Sequence, residues 1–559
     1  MNKLLPIIVF ILAPLIMLRA EDSFSAIMRY LGSSDRQHES KATQSSKPLA
    51  IKSLLIHPDE RRRILGKAQY SRPSSLPESY ITSDGNFKFH YTTSGYYAVD
   101  TTCTNGEGIP DYIYEAARAA EYVYRLLMDT LNYDPPPQDN IEGPETDIYI
   151  LNFAGYSYAY TYPESEVSST SRRYDYTAYM EIDNDYKETG YGTRGLDGLR
   201  VTIAHEYFHV VQLGYNWFPN NGLPSSGGDE YFLEWSSTWF EERAYPRVND
   251  YIQYLGGFFY NPGKSIWDYN SYAYALGPFI YFLENTYDND LLRKVWENIK
   301  SRYAFQALIN VLDEYNGSLA NQYNNYVNAC YFTGNRYDES YAVCPDAAQF
   351  PMMSVTQYQF NQSLSIPSSE IRPFATQPFA VSFTSDQFLN MNVDPDDDGS
   401  LIGSYIIDRQ GSDYFYRNFD TQQDVFVGEM RKEEQLVVFL TNPEINDTIA
   451  VDMAFQSTET TPSKILKIYA NPYIIQEQSP LYVELQIGKF ISELNFRIFN
   501  ILGQRVYDYT IDASSLEPGI HTFSFTEDVF RSRNLSSGIY LLQIRADSDR
   551  MIKKFTLLN

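Results

Sequence analysis

The chain has 559 residues, 43% hydrophobic and 21% charged, enough for about three or four globular cores at roughly 150 residues each. Lys and Arg number 44 against 71 Asp and Glu, and a net charge of −27 repels phosphates, which excludes nucleic acid as a partner. Tyrosine is abundant (50) and histidine scarce (6), so any clustering of histidines carries information.

In chain order, Lys3 precedes an apolar run from Leu4 to Leu18, and the small Ala20 precedes Glu21-Asp22. That pattern reads as a secretory signal peptide over residues 1–20. No later apolar run is long enough to span a bilayer, so no transmembrane helix is expected in the mature chain. Residues 21–80 are polar, with Ser-rich patches and Arg61-Arg62-Arg63, and read as a pro-segment or linker. A globular pattern follows over 81–350. Asn105-Gly-Glu-Gly-Ile-Pro-Asp111 is a turn with Pro110 near the start of a helix, and Ile113, Ala116, Ala117, Ala120, Val123 and Leu127 recur at helical spacing. Aligning Gly106 with the invariant glycine of a calcium loop puts Thr101 and Tyr112 at its end positions, so Asp100–Asp111 reads as a plain turn. Strands are predicted at Asp147–Phe153 and Ala178–Ile182, then helices from Leu196 to about Cys330.

Beyond Pro351 the texture changes to short Val/Phe/Tyr-rich runs broken by Asp, Gly, Ser and Pro, expected as β-sandwiches over 351–460 and 464–559. The fold class is therefore α+β: one mixed domain followed by two β-sandwiches. Cys330 and Cys344 are spaced for a local disulfide, which leaves Cys103 as a small buried residue.

The chemistry concentrates at His205-Glu206-Tyr207-Phe208-His209. Positions i and i+4 share a helix face, so both imidazoles can reach one metal, and Glu206 can act as general base on a water. Leu199, Ile203, Val210, Val211 and Leu213 support the helix, and Gly214 is a sensible stop. A catalytic Zn²⁺ needs a third protein ligand and an open position. The positions three and six residues after His209, where an extended motif places Gly and His, are Gln212 and Tyr215, so the ligand comes from elsewhere. Glu234, 25 residues after His209 on a second helix-like stretch, is the leading candidate, with Glu230 and Asp229 competing at that helix's start. For oxyanion stabilisation, Tyr272 and Tyr274 are the best-placed candidates, Tyr274 opening an apolar helix to Leu283.

Phe232-Leu-Glu-Trp-Ser-Ser-Thr-Trp-Phe-Glu241 resembles the ligand helix of gluzincin metallopeptidases, and the resemblance makes Glu234 the third zinc ligand. With Gly108-Ile-Pro-Asp-Tyr112, Asp147-Ile-Tyr-Ile150 and Val201-Thr-Ile-Ala-His-Glu206, the stretch from about Arg72 to Pro351 resembles an exported bacterial zinc-metalloprotease family with a zincin-like fold. Two positions depart from its pattern: Trp235 stands where a small residue is usual, and Thr238 where an acidic partner can lie. Tyr469-Ala-Asn-Pro-Tyr473, Ile498-Phe-Asn-Ile-Leu-Gly-Gln-Arg-Val506, Leu535-Ser-Ser-Gly-Ile-Tyr540 and Lys553-Lys-Phe-Thr-Leu-Leu558 resemble the type IX secretion sorting domain, with tight turns expected at Gly503 and Gly538. Its closing strand is expected to offer an edge for pairing. The resemblances imply a zinc endopeptidase exported to the surface or exterior of a Gram-negative bacterium. Its partners would be protein or peptide substrates and the secretion machinery. The competing expectation is a zincin-like surface protein with little catalysis, adhering through its β-sandwiches.

Overall fold

In the computed structural model, the described residues are 72–558, apart from 169–173, 218–227, 269–270, 397–399, 410–413, 422–423, 459–462, 475–479, 489–490, 514–515, 517, 527–529, 531–534 and 548. The expected signal peptide and most of the 21–80 segment lie outside them. They divide into two units. The first runs to Tyr260 and continues over Ile266–Gln322 and Phe332–Met352; the second comprises Asn261–Ser265, Tyr323–Tyr331 and Met353–Asn559.

The first unit is α+β. Strands β1 (Glu78–Ile81), β2 (Phe87–Tyr91), β3 (Thr146–Leu151), β4 (Ala159–Glu166) and β5 (Tyr176–Asp183) form one sheet in the order β1-β2-β3-β5-β4. β2, β3 and β5 run parallel, and the outer strands β1 and β4 are antiparallel to their neighbours. β5 is buried along its whole length, as expected of a strand covered on both faces. Helix α1 (Asp111–Arg125) buries Ile113, Ala116, Ala117, Ala120 and Val123, the face read from its spacing. Helix α2 (Gly195–Tyr215) is buried nearly all round, packed on β4, β5, α1 and α3 (Glu230–Ala244). Short helix α4 (Ser271–Tyr274) precedes α5 (Gly277–Thr286) and α6 (Leu291–Ile299). The single helix expected from Tyr274 to Leu283 is thus two, because Pro278 starts a new helix rather than continuing one. Gly277 lies so close to α3 that a Cβ there would sit 3.0 Å from Thr238 Cγ2. Thr238 therefore packs against a helix start, and an acid would not fit there.

The folded part begins before residue 81. Arg72 is buried and donates to Glu164 (2.6 and 2.8 Å), Asp139 (2.6 Å) and Asp147, with its guanidinium over the Tyr179 ring. β3 is thereby tied to the chain entering the sheet. In the loop before α1, Asp111 Oδ1 accepts from Thr104 N, Asn105 N and Asn105 Nδ2, which laces the plain turn the sequence predicts. No disulfide joins Cys330 and Cys344, both of which are buried; the Cys344 thiol faces Tyr251 Oη at 3.9 Å instead. Cys103 is exposed in the loop rather than buried.

In the second unit, one sheet strings together Tyr414–Asp420, Ile402–Asp408, Gln435–Thr441, Thr376–Phe383 and Thr356–Phe360. The other contains Val425–Met430, Gln387–Pro395, Ile449–Thr458 and Ser363–Ile371. Phe379, Tyr405 and Val438 from the first share a core with Met391, Met453 and Phe455 from the second, which makes this a sandwich. The last module has a sheet of three strands and one of five around Val483, Leu485, Phe496, Ile544 and Phe555. Gly503 makes the expected turn at φ +75°, whereas Gly538 begins a strand. The closing strand Asp549–Leu558 pairs with Gly538–Ala546 on one side, and Leu557–Leu558 pair with Tyr473–Ile474 on the other. The edge expected along it is therefore covered at its end.

Replacing Arg72 by Ala would strand Asp139, Asp147 and Glu164 in a buried site. Denaturant unfolding should show a loss of about 3–5 kcal/mol. The exposed Arg118→Ala should leave the midpoint unchanged.

Candidate metal centre

Helix α2 places His205 and His209 one turn apart, and α3 crosses it with Glu234 facing both. His205, Glu206 and His209 are 0% exposed and Glu234 is 1%. The Nε2 atoms of the two imidazoles lie 3.1 Å apart; Glu234 Oε2 is 3.1 Å from His205 Nε2 and 3.6 Å from His209 Nε2. Tetrahedral Zn²⁺ with bonds of about 2.0–2.1 Å separates neighbouring donors by about 3.4 Å. The three atoms thus have the spacing of one face of such a site.

The proton positions follow from what the rings touch. His205 Nδ1 lies 2.5 Å from Glu241 Oε1, and His209 Nδ1 lies 2.7 Å from Gln212 Oε1. Gln212 Nε2 donates to Leu233 O and Ser237 Oγ, which fixes its oxygen toward His209. Both Nδ1 atoms therefore donate, and both Nε2 atoms turn lone pairs toward each other and toward a carboxylate. Three acceptors in van der Waals contact repel unless a cation, or a proton in the metal-free protein, lies between them. In the metal-free protein burial alone raises the Glu234 carboxyl, but His209 and His205, when a proton on their Nε2 side faces it, outweigh burial and hold the group at about 2. The donor set, its spacing and its outer hydrogen bonds all fit Zn²⁺.

Glu206 points a different way. Its Oε2 accepts from Thr161 Oγ1 at 2.7 Å, and Oε1 is buried without a hydrogen-bond partner. Thr161 sits on the edge strand β4, so the sheet positions the carboxylate that α2 carries. The Tyr274 ring stacks near His205, with centroids 5.9 Å apart and planes at 19°. Tyr272 packs instead against Phe258. Glu230 and Asp229 are outside the ligand group; Asp229 precedes the first turn of α3 and accepts from Ala304 N.

Glu241, Gln212 and Thr161 are the site residues that sequence reasoning misses. Glu241 has a usable signal, since it lies seven residues after Glu234, two helical turns along the same face. It supplies the acidic partner that Thr238 does not. Gln212 stands at i+3 from His209, where it reads only as a departure from the extended motif. Thr161 has no local signal at all. Two further acid-containing groups occur among the described residues, His90–Glu142–Asp147 and Asp183–Asp185–Glu188. The first already holds Arg72 and Lys88, and Asp183 accepts from the backbone N–H groups of Phe153, Asp185 and Tyr186.

A family described as the secretion system C-terminal sorting domain matches residues 467–557. Those residues are a type IX secretion sorting domain. The chain is accordingly secreted or displayed at the cell surface, and it engages the secretion machinery. The match leaves the histidine and glutamate cluster outside it. No curated protein matches the chain. Among solved structures, the chain is similar to PorZ, a surface component of the type IX secretion system of Porphyromonas gingivalis, at 13% identity and TM-score 0.14. That match covers 19% of this chain and 14% of PorZ. The adhesin domain of Epf from Streptococcus pyogenes matches at 13% identity, 35% and 77% coverage and TM-score 0.13. A Bifidobacterium dentium β-glucuronidase matches at 8% identity, 32% and 38% coverage and TM-score 0.13. TM-scores this low carry no inference about activity. Among the described residues no helix is long and apolar enough to cross a membrane.

In the Zn²⁺-supplemented chain, long-range ¹⁵N–¹H correlation spectra should show His205 and His209 as Nδ1–H tautomers. An Nε2–H signal from either ring would contradict the arrangement.

Proposed function

We propose that the chain is a secreted zinc-dependent endopeptidase of zincin type that hydrolyses extracellular protein. The observation that carries this reading is Glu206, whose buried Oε1 is unpartnered, on the same helix turn as His205 and His209, which with Glu234 present three convergent acceptors. His205, His209 and Glu234 would hold Zn²⁺, which supplies Lewis acidity toward a water and a substrate carbonyl. Glu206 Oε1 then takes the proton of the attacking water and returns it to the departing amine nitrogen. Thr161 keeps the other oxygen occupied, so the carboxylate presents a single basic atom. Tyr274, beside His205, donates toward the oxyanion as the carbonyl becomes tetrahedral. An adhesive scaffold would have no use for a buried general base.

Glu206→Gln should retain zinc and the native melting temperature while peptidase activity on an unfolded protein falls by several orders of magnitude. Tyr274→Phe should lower kcat about 10²–10³-fold. A processed, zinc-loaded wild type that cleaves no unfolded protein would remove the enzyme reading and leave the adhesive one. Export is tested separately. Deleting residues 550–559 removes the strand that pairs with Gly538–Ala546 and should trap the protein in the periplasm, with activity intact in lysates. Normal surface amounts of the truncated protein would contradict the sorting role.

A further inference from the structure

A cavity of about 240 Å³ is lined by α3, α5, the start of α6 and the segment 130–133. It shares no residue with the metal centre and does not depend on the peptidase reading. Glu284 and Tyr133 reach it from buried positions, 5% and 4% exposed. Glu284 Oε2 accepts from Trp239 Nε1 at 3.0 Å, but Glu284 Oε1 and the Tyr133 hydroxyl have no hydrogen-bond partner. Two unpartnered polar groups on the wall of one cavity are costly unless something in the cavity satisfies them. The charges nearby are mostly matched: Arg293 pairs with both oxygens of Asp290 (2.7 and 2.6 Å), and Asp288 accepts from Lys294 at 3.0 Å. What remains is Glu284 inside and the exposed Arg243 on the same wall. Arg243 acts on Glu284 electrostatically, yet makes no ion pair with it among the described residues.

An ammonium or metal cation alone would be repelled by Arg243, and an anion alone would answer Arg243 but leave Glu284 neutral and without a charge partner. A ligand with both charges a few bonds apart satisfies both. Trp239 and Leu131 add an apolar wall. We propose that this cavity binds a small zwitterion, an apolar α-amino acid, with its ammonium on Glu284 and Tyr133 and its carboxylate on Arg243. Burial, only partly offset by the Trp239 hydrogen bond, Arg243 and a backbone hydrogen bond from Leu292, pushes the Glu284 carboxyl up to about 8. Arg243, Arg293, Asp288, Asp290 and Tyr133 face it from the surrounding elements. In the empty cavity the acid is thus largely protonated at neutral pH, and an arriving ammonium releases that proton, so binding tightens as pH rises toward 8.

Calorimetry on the full-length chain with L-leucine and L-phenylalanine tests this, with isoamylamine and 4-methylpentanoate as single-charge controls. The expected result is one site for an amino acid with a Kd of about 1 mM or below. Glu284→Gln and Arg243→Met should each weaken it about tenfold or more, as should loss of either charged end of the ligand. The heat should change with the ionisation enthalpy of the buffer. Arg243 is exposed, so its variant tests the proposal even where Glu284→Gln disturbs folding. Absence of heat with both amino acids, binding untouched by both substitutions, or equal affinity for isoamylamine would overturn it.

Discussion

Two imidazole Nε2 atoms held 3.1 Å apart in a fully buried site are the constraint on which the first unit depends. Neither ring can turn away, because Glu241 holds one Nδ1 and Gln212 the other. Gln212 is itself oriented by Leu233 O and Ser237 Oγ on α3, so the helix that brings Glu234 also fixes the ring opposite it. This arrangement tolerates little motion between α2 and α3, and their surroundings show it. α2 is enclosed by sheet and helices, and α5 lies against α3 at Gly277, where a larger residue would collide with Thr238. Converging acceptors of this kind carry an electrostatic strain that a bound cation would relieve.

The sheet contributes through Glu206. β4 is an edge strand, antiparallel to β5, and its Thr161 reaches Glu206. Glu206 is thus supported by a different element from the one that supports the imidazoles. On the proposed reading the two roles could be disturbed independently, so a substitution at Glu206 would separate chemistry from metal binding. The many tyrosines have a plainer role. Tyr149, Tyr162 and Tyr179 cluster on the sheet under Arg72, while Tyr158, Tyr186 and Tyr191 stack together beside α2's first turn. They supply bulk whose hydroxyls find acceptors, as Tyr186 does at Tyr158 O and Tyr191 at Ser157 O.

The features legible in the sequence are those with short-range periodicity. His205 and His209 at i and i+4, the apolar face of α1 and the alternating strands beyond Pro351 all follow from local geometry. Glu234 is reachable because it lies far enough after His209 for a helix to return on α2 and because the pattern around it resembles a ligand helix. Residues that act across long separations are not legible: Thr161 lies 45 positions before Glu206, and Arg72 meets its carboxylates 67 to 92 positions away. Arg72 is further concealed by a polar neighbourhood that reads as linker. Position after the ligand helix narrows the tyrosines to Tyr272 and Tyr274, and only the fold separates them, with the Tyr274 ring near His205 and Tyr272 against Phe258. The cysteine pairing failed for a related reason, since spacing in sequence says nothing about where a thiol faces, and Cys344 faces Tyr251.

The account stands on one ion between α2 and α3. Anomalous diffraction at the zinc edge, from crystals of the zinc-loaded chain, tests it directly. The expected result is a single strong peak about 2.0–2.1 Å from His205 Nε2, His209 Nε2 and a Glu234 carboxylate oxygen. A peak only at His90, Glu142 and Asp147, or none at the two imidazoles, would contradict the account.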